Sequence, residues 1–352
     1  MKGDKMPFRP DKKFLTYKQQ IELLKSRNLI IKDEAFATWC LSHYGYYPLI
    51  NGYSKPYLSN PNNCEDYSEG TQFEQILYQY YIDRDLKSIL FERIIDCENH
   101  LKTVLGYVVA ESFGEYDKLP EDQGYIAGEE SYLYKNNFLK KPLLNSLIKS
   151  IRQTRNSFNS NPTKYYRDNK NHIPPWILFR NISLWEAKSL FQVLKFPEKI
   201  KAIPELFPYY SYFNPDTTSK VMVDSYELMR VFRNNMAHGS RAYATRPKAS
   251  LPLVAIETIL GPQIVSIEEH KAGVGRNDLF GFLLVVSIFS QDFDILQTTF
   301  EELQRMELKY RSLENQLDFS PFNDFLEFSN LPPNYIKRLV SGMQYKYLNF
   351  HQ

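Results

Sequence analysis

Cysteine is scarce in this sequence of 352 residues, which contains only Cys40, Cys64 and Cys97. Their number is odd, they are widely spaced and no two form a CxxC pair, so neither a disulfide framework nor a zinc knuckle is indicated. We expect all three to be reduced side chains that behave as small apolar residues. Such cysteine usage is typical of a protein from a reducing, cytoplasmic environment.

Long hydrophobic runs are also missing. The most apolar segment runs from Leu279 to Phe289 and lies between Asp278 and Asp292. It is much shorter than the roughly 20 residues that a bilayer span needs, so we expect a buried helix. Residues 1–14 are basic but lack an apolar core, and they do not resemble a secretory signal. We therefore expect no contact with a membrane.

Basic residues are only slightly in excess, since the formal net charge is +2. A dedicated nucleic-acid binder usually shows a clear basic excess, so any RNA-binding surface must be local. The six histidines show no metal-ligand spacing, and HExxH, Walker lysine and G-x-S-x-G motifs are all missing. The sequence therefore predicts neither a metal site nor a cofactor.

Aromatic residues, by contrast, are abundant: 26 tyrosines, 24 phenylalanines and three tryptophans make up 15% of the chain. Most aromatic side chains pack in cores, but exposed rings also stack on nucleic-acid bases or on a partner. Both interpretations stay open for Tyr44, Tyr46, Tyr47 and Tyr53, which lie in the tyrosine-rich segment 43–53.

Apolar residues recur at steps of three or four over most of the chain, which is typical of amphipathic helices. The strongest pattern begins at Thr71 and Glu74, which fit a capping box, and continues toward Gly114. It predicts one long helix that forms the spine of a bundle. Two short β-branched runs around Gly261-Pro262 favour a small β-hairpin. The predicted fold class is therefore all-α with one small hairpin insert.

Polar stretches rich in proline and glycine separate these patterns and suggest four parts. We expect an N-terminal helical, tyrosine-rich element (1–70) and a helical core (71–246). An irregular or hairpin insert (247–276) and C-terminal helices (277–352) would follow.

One segment combines side chains that can carry out chemistry, Arg233-Asn234-Asn235-Met236-Ala237-His238-Gly239-Ser240-Arg241. We expect it to close a helix over 218–238, with Gly239 just past the end, where a left-handed residue is needed. On a continuous helix, Arg233 and His238 point about 140° apart, because there are about 3.6 residues per turn. Either the last turn deforms, or two copies of the segment build one site jointly. We favour the second arrangement.

These residue types suit cleavage of RNA without a metal. The 2′-hydroxyl must lose a proton to attack the adjacent phosphate, the leaving 5′-oxygen must gain one, and a histidine can serve either role. A guanidinium can hold the phosphate and stabilise the charge of the transition state, while Asn234 can orient either group. The alternative is structural, because Arg-Asn pairs near helix ends often bind carbonyl groups and a lone histidine often only packs or caps.

The segment also resembles a known signature. Arg233-Asn234-x-x-Ala237-His238-x-Ser240-Arg241 resembles that of the Abi-like (abortive infection, AbiD/AbiF type) bacterial proteins, members of the HEPN superfamily. Other stretches resemble further parts of the family in the same order: residues 41–53 its tyrosine-rich N-terminal element, 81–86 and 98–102 its long first HEPN helix, and 174–176 and 182–186 its central Pro-x-Trp region. The similarity covers most of residues 14–345.

The resemblance implies a HEPN-type helical bundle that forms a homodimer and joins two Arg/His motifs into one ribonuclease site. Carried over, Arg233 and His238 would be catalytic, with Asn234 the adjacent polar residue. The implied activity is that of a metal-independent endoribonuclease toxin in anti-phage defence, and some relatives are restrained by a small RNA antitoxin. The chain departs from the signature at Gly239, where a second histidine is common, and at 242–244, where Leu-Trp/Tyr-Asn is replaced. If the second histidine assists proton transfer, activity would be weaker.

Four further residues are candidates for RNA contact. Arg230, Arg241 and Lys102 could line a phosphate path, and Tyr46 could stack on a base, although exposed cations more often only solvate a face. Two other functions stay open. The protein could be a HEPN-type module that binds RNA without cutting it, or a dimerisation protein in which Arg233 only caps a helix.

Overall fold

The structure is a computed structural model that describes residues 12–60, 62, 65–118 and 131–350. Within these ranges the chain forms helices, turns and loops, and no β-strand. Extended pairing there is limited to two isolated bridges, Ile30–Gln72 and Leu58–Tyr67. The all-α fold class is confirmed.

Helices α1 to α15 follow one another along the described chain. They are α1 (Tyr17–Ser26), α2 (Glu34–Tyr44), α3 (Phe73–Phe113), α4 (Leu144–Ser157), α5 (Thr163–Asn169), α6 (Pro175–Leu178), α7 (Leu184–Val193), α8 (Phe196–Leu206), α9 (Pro215–Ala237), α10 (Leu253–Leu260), α11 (Ile267–Lys271), α12 (Leu279–Phe289), α13 (Phe293–Ser312), α14 (Pro321–Ser329) and α15 (Tyr335–Phe350). A short π-helix, Tyr47–Asn51, lies between α2 and α3.

Helix α3 is the spine of the bundle, as its apolar periodicity predicts. It has 41 residues and is therefore about 60 Å long at ~1.5 Å per residue. It contacts α6, α7, α8, α9, α12, α13 and α14. It ends at Gly114, whose φ of +78° lies in the region that favours glycine. Most of the molecule thus packs around α3. This includes α9, which carries residues 233–238, here called the Arg/His segment.

The start of α3 differs from the prediction by one residue. Gln72 is the N-cap and forms the reciprocal capping box with Gln75, so the expected box of Thr71 and Glu74 is wrong. The carbonyl of Thr71 accepts a hydrogen bond from the Ile30 amide at 2.9 Å, which holds Thr71 in the loop before the helix. A contact with a distant segment therefore decides where the helix begins.

Helix α12 lies in the hydrophobic core, and each of its 11 residues is buried. The side chain of Asp278 caps its start by accepting a hydrogen bond from the Gly281 amide at 2.7 Å. At its other end, the buried ammonium of Lys346 on α15 donates to the carbonyls of Ser287 and Ser290, where a cation complements the helix dipole. The prediction of a buried helix is confirmed.

The predicted β-hairpin is wrong. Its first run, from Leu253, forms α10, and its second run leads into α11. Ala255, Ile256, Ile259 and Leu260 are buried together, which is a helical repeat rather than an alternating one. Gly261, at φ +100°, ends α10 instead of forming a hairpin turn. Short apolar runs fit both structures, and tertiary packing selects the helix here.

Two of the three cysteines lie in the described part of the chain. Cys40 and Cys97 are buried and free. Burial raises the pKa of Cys40 to about 11 and that of Cys97 to about 12, which makes both thiols poor nucleophiles. Cys64 lies outside the described residues.

Candidate active site

The Arg/His segment lies at the C-terminal end of α9. This helix begins at the N-cap Asn214 and turns Val221, Leu228, Phe232 and Met236 into the core, as predicted. The ring of Phe232 stacks on a phenylalanine of α12 with 4.4 Å between ring centroids. The apolar face therefore fixes α9 against the core and turns the polar side chains of the segment away from it.

The helix ends in a Schellman motif, which the sequence predicts from Gly239. The Ser240 amide donates to the Asn235 carbonyl at 2.9 Å, and the Gly239 amide donates to the Met236 carbonyl at 3.4 Å. Gly239 has φ +73°, a conformation that costs an L-residue roughly 1–2 kcal/mol. The absence of a second histidine here thus has a structural reason. His238 becomes the C-cap and is exposed.

Three polar side chains at this end are left without a hydrogen bond in the described part of the chain. Arg233 is 36% exposed, and its nearest carboxylate atom, Oε2 of Glu98, is 3.8 Å from its Nε. The amide of Asn234 and the imidazole of His238 likewise make no hydrogen bond there, although the Asn234 backbone carbonyl accepts one from the His238 amide. These are the three residues predicted to be catalytic. The structure leaves them available to a ligand.

The loop that follows the segment is held firmly by Asp83 of α3. This buried carboxylate accepts hydrogen bonds from the backbone amides of Ala242 at 3.0 Å and Tyr243 at 3.3 Å. It also accepts one from the Tyr53 hydroxyl at 2.6 Å and pairs with Lys87 at 2.7 Å. Asp83 lies in the stretch 81–86 that resembles the long first HEPN helix, but it was not among the predicted site residues. Its acidic character inside an apolar periodic stretch was the available signal.

Asn235 strengthens the same anchor. Its amide donates to the Thr245 hydroxyl at 2.9 Å, and that hydroxyl donates to the Arg241 carbonyl at 3.1 Å. The two neighbouring asparagines therefore differ, because Asn235 binds the protein while Asn234 has a free side chain.

Lys102 does not lie on an open phosphate path. It is only 8% exposed, and its ammonium binds Glu98 at 2.5 Å. Glu98 is 5% exposed and faces Arg233. Both side chains are buried on α3, which several helices surround. RNA contact by Lys102 stays a prediction that this burial does not favour.

Arg230 is bound to a carboxylate. Its guanidinium donates two hydrogen bonds to Glu227, at 2.6 and 2.9 Å, and Lys188 of α7 binds the same carboxylate at 2.6 Å. Burial would raise the pKa of Glu227, but the hydrogen bonds from Arg230 and Lys188 outweigh it and lower that pKa. Two of the five N–H donors of Arg230 are therefore bound to Glu227, and RNA contact by Arg230 stays a prediction.

Arg241 and Tyr46 have separate surroundings. Burial raises the pKa of Tyr243, and the positive charge of the nearby Arg241 opposes this. Arg241 is partly exposed at the Asp83-bound loop. Tyr46 instead lines a cavity of about 490 Å³ together with Arg27 and Lys55. RNA contact by either residue stays a prediction.

The other tyrosines of segment 43–53 divide between packing and exposure. Tyr53 is buried against Tyr80 and Tyr243, and Tyr44 packs on Tyr80. Tyr47 is 74% exposed. Packing therefore accounts for Tyr53 and Tyr44 and leaves only Tyr47 as an open ring.

No group of three or more His, Cys, Asp or Glu side chains that could hold a metal ion occurs in the part of the chain that the structure describes. Within the same residues, every helix falls short of the length and apolar character that a membrane crossing needs.

Comparison with known proteins identifies the family of this chain. Residues 39–244 match the family model described as Abi-like protein. The match covers more than half of the chain and includes both Asp83 and the whole Arg/His segment, so the chain belongs to the Abi-like protein family. No curated protein and no solved structure matches the chain.

Proposed function

We propose that this protein is a metal-independent endoribonuclease of the HEPN type, and that it acts as the toxin of a cytoplasmic abortive infection system against phage. Its family membership supports the defence role. The observation that carries the chemistry is the end of α9, where Arg233, Asn234 and His238 keep unbonded polar groups on a rigid, anchored frame. Rigid presentation of uncommitted groups is what a reacting site requires.

The proposed reaction involves two proton transfers and replaces one P–O bond with another. A base takes the proton of the 2′-hydroxyl, whose oxygen attacks the adjacent phosphorus and forms a 2′,3′-cyclic phosphate. The bond from phosphorus to the 5′-oxygen breaks, and that oxygen leaves as a hydroxyl after it gains a proton. His238 would serve as base or acid. The Arg233 guanidinium would bind the phosphate oxygens, on which negative charge accumulates.

A homodimer would complete the site. Arg233 faces α3 from within the helix, whereas His238 caps the helix end and is exposed. The Arg233 guanidinium of one copy and the His238 imidazole of the other would then meet at one phosphodiester. RNA would be the substrate, and a small RNA would act as the antitoxin.

The test is an assay of the purified protein on 5′-labelled RNA in EDTA and in magnesium. We expect equal cleavage in both, with products that end in a 2′,3′-cyclic phosphate and a 5′-hydroxyl. Cleavage that EDTA abolishes would contradict the metal-free chemistry. RNA binding without cleavage in either buffer would overturn the enzyme proposal and identify a binding module.

A further inference from the structure

A buried carboxylate lies directly beneath Arg233. Oε1 of Glu98 accepts a hydrogen bond from Lys102, one turn further along α3, while Oε2 is 3.8 Å from Nε of Arg233. Both Oε2 and that Nε are buried and lack a hydrogen-bond partner in the described structure. Two unsatisfied groups of opposite charge therefore face each other across a gap slightly longer than a hydrogen bond.

Glu98, Lys102 and Arg233 form a cluster of one anion and two cations. A single buried carboxylate would need a cation, because an unpaired buried charge is strongly unfavourable. Glu98 has two cations within reach, and Lys102 is the closer one. One carboxylate therefore offsets only one of the two positive charges, and the cluster keeps a net charge of +1 for an anion from outside.

The cluster also decides which edge of the guanidinium an anion can reach. Nε of Arg233 is buried on the Glu98 side, although 36% of the side chain is exposed. The Phe91 ring lies 6.0 Å from the guanidinium carbon and forms another wall. A phosphate can therefore bind through the two terminal nitrogens, Nη1 and Nη2, and not through the edge that contains Nε.

We propose that Glu98 is the positioning residue for Arg233, and that Lys102 neutralises Glu98 so that Arg233 stays available to an RNA phosphate. This inference rests on the proposed nuclease function and assigns new roles within that site. Glu98 orients the guanidinium through Nε and never touches the RNA. Lys102 likewise acts through Glu98.

The two partners should affect catalysis in different ways. In Glu98→Gln, Arg233 loses the charge that orients it, and misplacement of a catalytic group by about 1 Å can lower a rate about 100-fold. We expect kcat to fall 10- to 100-fold with little change in KM. In Lys102→Met, Glu98 must be neutralised by Arg233, which then competes with the phosphate. There we expect KM to rise roughly tenfold, the scale of one charged hydrogen bond, with a smaller change in kcat.

A double variant guards against loss of folding, because Glu98→Gln leaves the Lys102 charge buried and unpaired. The variant Glu98→Gln/Lys102→Met removes both charges together and should melt close to the wild type. It should still show the reduced kcat of Glu98→Gln. Glu269→Gln is the matched control, since it disrupts a carboxylate–arginine pair with Arg338 on other helices and should leave both constants unchanged.

A spectroscopic measurement tests the positioning independently of cleavage. The Nε–H of Arg233, assigned in an NMR spectrum by its loss in Arg233→Lys, should exchange slowly with water and should exchange at least tenfold faster in the double variant. An unchanged exchange rate would overturn the inference even if the protein cleaves RNA. A protein that cleaves no RNA but shows the exchange effect would overturn the nuclease proposal and leave the positioning of Arg233 supported. An active nuclease whose kcat is the same in the folded double variant would also overturn the inference.

Discussion

Arg230 and Arg233 lie about one turn apart on α9, yet their guanidinium groups have different surroundings. Arg230 donates two hydrogen bonds to Glu227, which also binds Lys188. Arg233 approaches a carboxylate only to 3.8 Å, and that carboxylate is already bound to Lys102. Within the described residues, an arginine on this helix is thus hydrogen-bonded to a carboxylate in one turn and makes no hydrogen bond in the next.

This difference distinguishes side chains that stabilise the fold from side chains that can bind a ligand. A polar group whose bonds are completed inside the protein stabilises the fold, whereas an uncommitted group on a rigid frame can bind a ligand. Asn235 and Asn234 repeat the contrast, since only Asn235 has a bonded side chain. We infer that the site begins at Arg233 and extends to the helix end at His238.

The largest expected effect is the loss of RNA cleavage when Arg233 or His238 is replaced. Arg233→Ala and His238→Ala should each lower RNA cleavage about 10³-fold, the upper scale for loss of one group that stabilises the transition state. Neither should change the melting temperature appreciably, because neither side chain makes a hydrogen bond in the described structure. Cleavage assays and thermal melts on the same samples test this. Loss of folding in Arg233→Ala would show that the arginine is structural.

Loss of Asp83, which holds the loop after α9, should lower the stability of the protein. Asp83→Ala leaves Lys87 and the amides of Ala242 and Tyr243 without their buried partner and should lower the free energy of unfolding by about 3–5 kcal/mol. Glu301→Ala is the control. Glu301 pairs with Arg305 on the exposed face of α13, so its loss should cost no more than about 1 kcal/mol. Urea denaturation measures both, and equal losses would contradict the account.

Replacement of the glycine at positive φ that follows α9 should have a smaller effect. Gly239→Ala and Gly114→Ala both introduce a side chain at positive φ, +73° and +78°, and each should destabilise the protein by roughly 1–2 kcal/mol. Only Gly239→Ala should also reduce cleavage, because it alters the turn that positions His238. Chemical denaturation combined with the RNA assay separates the two outcomes. A loss of cleavage in Gly114→Ala matching that in Gly239→Ala would argue against a local effect.

The smallest effect is expected at Arg230. Its loss removes an ion pair in which both side chains are 25% exposed, should cost about 1 kcal/mol of stability and should change kcat/KM for RNA by less than about threefold. A drop comparable to that of Arg233→Ala would remove the contrast between the two turns. Arg230 would then belong to the RNA site, as its position in the sequence had suggested.

Local sequence patterns were sufficient for much of the fold. The spacing of apolar residues predicted α3 and the buried α12, and Gly239 predicted the Schellman end of α9. These features depend on residues within a few positions of one another. The segment 233–238 was recognised in the same way, although its catalytic role remains a proposal.

Contacts between distant segments could not be predicted in this way. Asp83 binds amides about 160 positions later in the chain, and no local pattern indicates such a partner. Glu98 and Lys102 are charged residues that the sequence gives no reason to bury, but several helices surround α3 and enclose both. The mistaken hairpin has a related cause, because α10 owes its conformation to packing rather than to its short apolar run.

The proposed active site requires groups from two copies of the chain, and a mixed dimer tests this directly. Arg233→Ala and His238→Ala proteins would be combined under conditions that exchange subunits, and dimer formation would be verified by mass. A mixed dimer keeps one arginine and one histidine, always on different copies. We predict that RNA cleavage reappears at least tenfold above either variant alone. A verified mixed dimer that stays inactive would contradict a site shared between two subunits.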